Sequence, residues 1–79
     1  MKLLTLAQVA ETLAISESLA RDMALAADHA AEVKAGTRAL ADVPPRLRPY
    51  LDIGFPMAKR IGRRLRRIDE SAIRAWLGA

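Results

Sequence analysis

Three prolines determine where a helix can run in this chain. Pro44, Pro45 and Pro49 lack the backbone N–H that a helix interior needs and crowd the preceding turn, so no regular helix passes through them. The sequence divides accordingly into an amino-terminal helical part, an ordered loop from Val43 to Pro56 pinned by Leu47, Tyr50, Leu51 and Phe55, and a basic carboxy-terminal part. A length of 79 residues holds at most one domain, which buries only about 60% of the surface its unfolded chain exposes. The apolar fraction of 52% includes sixteen alanines, and the only aromatic residues are Tyr50, Phe55 and Trp76. The core is therefore thin, and self-association or a partner would add to it.

The first half carries local start and stop signals. Lys2-Leu3-Leu4 is either a short strand or an extended lead-in. Thr5 and Gln8 have the spacing of a capping box, which predicts a helix from near Leu6 to Thr12 or Leu13 with Leu6, Val9, Ala10 and Leu13 on its inner face. A short apolar link, Leu13-Ala14-Ile15, leads to Ser16. That serine is a natural N-cap for a second helix, and Glu17 suits the positive end of its dipole. Two helices joined by about three residues form a helix-turn-helix. On the second, Leu19, Ala20, Met23, Ala26 and Ala27 are expected to face inward, and Ser18, Arg21, Asp22, Leu25 and Asp28 outward. Nothing interrupts Ala24 to Ala35, so this helix can continue to a cap at Gly36. Thr37 is expected to cap another short helix through Ala41.

Charge is unevenly distributed within the net +4. Met1 to Pro45 holds four bases and six acids, whereas Arg46 to Arg67 holds eight cations against Asp52 alone. A block this dense seeks a polyanion, either nucleic acid or an anionic membrane surface. Within Lys59 to Ile68, Ile61, Leu65 and Ile68 have the spacing of a basic amphipathic helix suited to a membrane or RNA. The other reading is a β-hairpin with Gly62 at the first central position of a two-residue turn shared with Arg63. Gly62 would cost a helix about 1 kcal/mol relative to alanine. Phe55-Pro56 suits an extended approach, and Asp69 starts a new helix, so the hairpin is preferred. Its tip presents Arg63 and Arg64, flanked by Lys59, Arg60, Arg66 and Arg67.

After the Asp69 N-cap, Ile73, Trp76 and Leu77 make an apolar stripe at helical spacing, and Trp76 is read as structural. Little points to catalysis. With no cysteine there is no disulfide framework, and a lone His29 is read as a surface or helix-end residue, because a metal site needs three or four convergent ligands. Ser16, Ser18 and Ser71 read as caps and helix-surface residues. No acid–base pair or phosphate-binding glycine loop is visible, so neither an enzyme nor a cofactor is expected. Apolar stretches such as Leu3 to Ala10 are too short to span a bilayer, and no signal-peptide pattern follows Met1-Lys2. A cytoplasmic protein is expected.

The opening residues LLTLAQVAETLAIS, Leu3 to Ser16, and the closing residues GFPMAKRIGRRLRRIDESAIRAWL, Gly54 to Leu77, together resemble the excisionase and AlpA-like group of winged helix-turn-helix proteins, related to the MerR DNA-binding fold. The closing half is the more specific, because a turn, a basic strand and an Ala-Trp-Leu helix follow in the family's order. The resemblance implies a mainly α fold with a small β-hairpin, residues 1–79 forming one winged helix-turn-helix domain. An unusual insert at about 24–53 replaces the family's short link.

By that resemblance the second helix enters the major groove of double-stranded DNA through Ser16, Glu17, Ser18, Arg21 and Asp22. The wing, with Lys59, Arg60, Gly62, Arg63, Arg64, Arg66 and Arg67, touches the backbone or the adjacent minor groove, and Arg46 and Arg48 of the insert would add to the DNA face. Glu17 and Asp22 stand where family members usually carry bases; they can accept hydrogen bonds from cytosine amino groups but repel phosphate. The implied function is that of a recombination directionality factor, which binds repeated sites, bends DNA and promotes integrase-mediated excision of a mobile element. A small transcriptional regulator is the alternative, and a phage-packaging or protein-interaction adaptor a remoter one. The implied partners are duplex DNA, an integrase and further copies bound cooperatively on DNA, with no membrane.

Overall fold

A computed structural model describes residues 2–62 and 65–78. In chain order these form β1 (Leu3–Leu4), α1 (Leu6–Leu13), α2 (Glu17–Ala35), two 3-10 segments (Leu40–Asp42 and Pro45–Tyr50), β2 (Lys59–Ile61), β3 (Leu65–Asp69) and α3 (Glu70–Leu77). The chain is thus mainly helical, with a small antiparallel sheet in the order β1-β3-β2.

Local chemistry fixes the helix ends. At the start of α1 the Thr5 hydroxyl accepts from the Gln8 amide at 3.0 Å, and the Gln8 side chain accepts from the Thr5 amide at 2.9 Å. The helix stops at Ala14, whose φ of +56° is left-handed and unusual for a residue with a Cβ. The Ile15 amide then donates back to the Ala10 carbonyl at 3.0 Å, which satisfies an end group of the helix and turns the chain. The Ser16 hydroxyl accepts from the Leu19 amide and opens α2. Gly36, with φ of +80°, closes it in the conformation that glycine adopts without strain.

Alanines let α2 serve two sides at once. Ala20, Met23, Ala24 and Ala27 pack into the main core with Leu4, Val9, Ala10, Phe55, Ile68 and Ile73. Ala26 faces a second, smaller cluster with Val43 and Leu47 of the loop, onto which Leu25, Tyr50 and Leu51 pack. A methyl side chain lets two neighbouring elements approach the same helix closely. The expected inner face holds, with Leu19 half-buried. Leu25 and Asp28 depart from the expected outer face: Leu25 supports the second cluster, and the Asp28 side chain is only 14% exposed.

Two further expectations change in this region. Thr37 caps no helix; its hydroxyl donates to the Glu32 carbonyl at the end of α2, and the following 3-10 turn has Ala39 at its start. The prolines do exclude an α-helix, yet Pro45 to Tyr50 takes 3-10 form, with Pro45 in the first turn, where a missing N–H costs nothing.

Pairing of Lys59 with Arg67, Arg60 with Arg66 and Ile61 with Leu65 makes residues 59–68 a hairpin rather than an amphipathic helix. The expected two-residue turn is corrected by the same register: with Ile61 opposite Leu65, three positions, 62 to 64, lie between the paired ends. Gly62 has φ of +71°, so the glycine is used at the expected place but in a longer connection. Arg63 and Arg64 lie outside the described residues.

β3 also pairs with β1, Leu3 opposite Asp69 and Leu4 opposite Ile68. The Asp69 carboxylate accepts from the Ser71 amide at 3.0 Å and starts α3. Ile73 is fully buried, and the Trp76 indole is half-buried, donating to the Ile53 carbonyl at 2.8 Å and meeting Phe55 edge to face. Leu77, expected on the same stripe, is 56% exposed, because the helix ends there beyond the reach of the core.

Candidate nucleic-acid interface

Strand alternation gives the hairpin two chemically different faces. Arg60 and Arg66, directly opposite one another, share the face of buried Ile68 and turn toward α2. There both meet one carboxylate oxygen of Asp28, Arg60 Nη2 at 3.5 Å and Arg66 Nη1 at 3.4 Å. The Arg66 Nη1 atom is buried and makes no hydrogen bond among the described residues, so its attraction to Asp28 is Coulombic. The other face carries Lys59 opposite Arg67 and, nearer the tip, Ile61 opposite Leu65, which are 46% and 49% exposed. Arg67 is half-buried and donates to the Arg66 carbonyl at 2.8 Å.

The start of α2 is less basic than its position suggests. Ser16 spends its hydroxyl on the helix cap. Glu17 and Arg21 form an exposed ion pair at 3.5 Å, one turn apart, worth about 0.3–0.5 kcal/mol. Ser18 is exposed. Asp22 is met by Arg46 of the loop at 3.7 Å, whereas Arg48 turns into its own segment and donates to the Val43 and Ala41 carbonyls. Glu17, Asp22 and Asp28 are thus each faced by arginine, which offsets the repulsion that an acidic helix would offer to phosphate.

Helix and hairpin form one continuous surface. Arg21 and Leu25 of α2 line a groove of about 310 Å³ together with Leu6 of α1 and Arg66 of β3. The residue that joins these parts, Asp28, is missing from the sequence-derived site. Its one sequence signal is its place seven residues after Arg21 on the helix stripe that also bears Leu25. Its partners lie 32 and 38 residues away and leave no local signature.

His29 is neither a surface nor a helix-end residue, since it lies mid-helix and half-buried, with its Nδ1 atom buried and lacking a hydrogen-bond partner among the described residues. No group of three His, Asp or Glu side chains among the described residues is placed to hold a metal ion. No helix among them is long and apolar enough to cross a membrane.

Near the far end of α2, Arg38 donates to the Glu32 carboxylate and is the main cause holding that carboxyl below its ordinary value. Asp69 is held low chiefly by the Ser71 amide. In both cases the unfolded state binds more protons over the window between the lowered and ordinary values. Stability from these groups is therefore present above the usual carboxylate range and lost as pH falls through the lowered values. Glu32→Gln is expected to flatten the acid limb of a denaturant-unfolding series across that window; an acid limb identical to wild type would contradict the assignment.

No protein-family model, curated protein or solved structure matches this chain. The resemblance drawn above rests on its opening and closing segments alone.

Proposed function

We propose that the chain is a winged helix-turn-helix protein that binds double-stranded DNA, with α1 and α2 as the helix pair and the β2–β3 hairpin as the wing. The observation that carries this reading is the density of cations on a hairpin that adjoins the exposed face of α2. Lys59, Arg60, Arg66 and Arg67 belong to its paired strands, and Arg63 and Arg64 lie between those strands in the sequence. A cationic two-stranded ribbon suits the phosphate backbone, whose neutralisation supplies most non-specific affinity. Arg21 and Ser18 would contribute sequence preference from the helix.

Within DNA binding, the resemblance of the terminal segments favours an excisionase. One copy of so small a module buries roughly 600–1,000 Å² of surface on DNA, so useful specificity comes from several copies on neighbouring sites. Copies side by side also bend the duplex, and the contacts a bend permits offset its elastic cost. Footprinting with bend measurement on DNA flanking the gene should show protected direct repeats and a bend that grows with occupancy. In a reconstituted recombination reaction, adding the protein should raise integrase-mediated excision relative to integration. Unchanged excision alongside repression of a neighbouring promoter would replace this role with that of a small transcriptional regulator.

A further inference from the structure

The inner face of the hairpin holds an anion site that is already filled from within. Arg60 and Arg66 stand opposite one another on adjacent strands, and both reach the same Asp28 oxygen. Their contacts of 3.5 and 3.4 Å are long compared with the roughly 2.7–2.9 Å of a well-formed charge-assisted hydrogen bond. Neither arginine engages the carboxylate through two parallel bonds, and Arg66 keeps a buried Nη1 without a hydrogen bond. The Arg60 side chain is 66% exposed, so it can turn to solvent without disturbing the core. This is a loose, single-oxygen arrangement, whereas a DNA backbone phosphate offers two anionic oxygens to the same pair of guanidinium groups.

Resting on the DNA-binding reading, we infer that Arg60 and Arg66 form one phosphate site, which Asp28 occupies in the free protein and a backbone phosphate takes over in the complex. Asp28 acts as an internal competitor. Exchanging one anion for another gains less than filling an empty site, so the competitor lowers non-specific affinity and leaves binding to depend on further contacts made at a proper site. The same carboxylate holds the hairpin against α2 until DNA arrives.

The test compares wild-type protein with Asp28→Asn, a substitution of nearly equal size, on a random-sequence duplex over a range of salt. Because the same phosphate is engaged in both complexes, removing the competitor should tighten binding on the order of tenfold at 0.1 M salt while the slope of log K against log salt changes by less than the roughly 0.9 that one extra phosphate contact would add. An unchanged or weaker affinity in a variant that keeps the wild-type melting temperature would overturn the inference. Should the variant melt early, the wild-type protein decides: the Nε–H resonances of both arginines must move when a short duplex is titrated in, and stationary resonances overturn it equally. Duplex binding absent from wild type would defeat the function reading too, whereas wild-type binding with no gain of affinity in the variant defeats the competitor alone.

Discussion

Trp76→Ala should destabilise the protein by about 2–4 kcal/mol, a large part of what a domain of this size has to lose. The indole joins three parts of the fold: its Nε1 donates to the Ile53 carbonyl at 2.8 Å, its ring meets Phe55 with centroids 5.1 Å apart, and its helix anchors the end of β3. An edge-to-face aromatic pair adds about 0.5–1.5 kcal/mol beyond burial, and the hydrogen bond about 1 kcal/mol. The ring is half-buried, which keeps the figure below that for a fully enclosed tryptophan. Thermal melting should register a fall of roughly 8–30 °C, given about 4–8 °C per kcal/mol for a small domain. Trp76→Phe, which loses the donor but keeps a ring, should recover most of the loss. A melting temperature unmoved by Trp76→Ala, with DNA binding gone, would mean that the ring acts at an interface instead.

The second large effect concerns the two arginines that separate the hairpin strands in the sequence. Replacing both Arg63 and Arg64 with alanine should weaken binding to specific and random duplexes alike, because phosphate contacts position a protein without reading sequence. If each arginine neutralises one phosphate, the salt slope falls by about 1.8 and affinity at 0.1 M salt drops on the order of 50-fold. Replacing Ser18 and Arg21 should instead change which sequences are preferred, at little cost to random duplex. A Ser18/Arg21 double variant that is silent on every site would shift base reading away from α2. Equal losses from both pairs on random DNA would remove the division of labour between helix and hairpin.

What could be read in the sequence is what acts within about one helical turn. The Thr5–Gln8 box, the Ser16 and Asp69 caps and the Gly36 terminator all involve partners a few residues apart, and each stands in the structure as expected. The hairpin was legible because Gly62 disfavours the rival helix and the segment is bounded by Pro56 and Asp69. Contacts between distant segments were not legible. Leu25 is drawn onto Val43 and Leu47 by a loop whose path no local pattern specifies. Thr37 looks like a cap, but the end of α2 takes its hydroxyl first. The turn length follows from the pairing of Ile61 with Leu65, which a run of arginines does not encode. Asp28 is the clearest case, since a helix-surface acid becomes the meeting point of two hairpin cations only when the strands are laid beside α2.

Those cations are the substance of the proposed function, and their engagement with DNA is directly measurable. Wild-type protein should be titrated with a fluorescent random-sequence duplex at several salt concentrations, and in parallel with vesicles rich in anionic lipid. Neutralisation of about four to six phosphates predicts a slope of log K against log salt of roughly −4 to −5 on the duplex, with vesicle binding much weaker and no gain of helix. A slope near zero on duplex, or vesicle binding as strong as duplex binding with helix gained over residues 59–68, would contradict it.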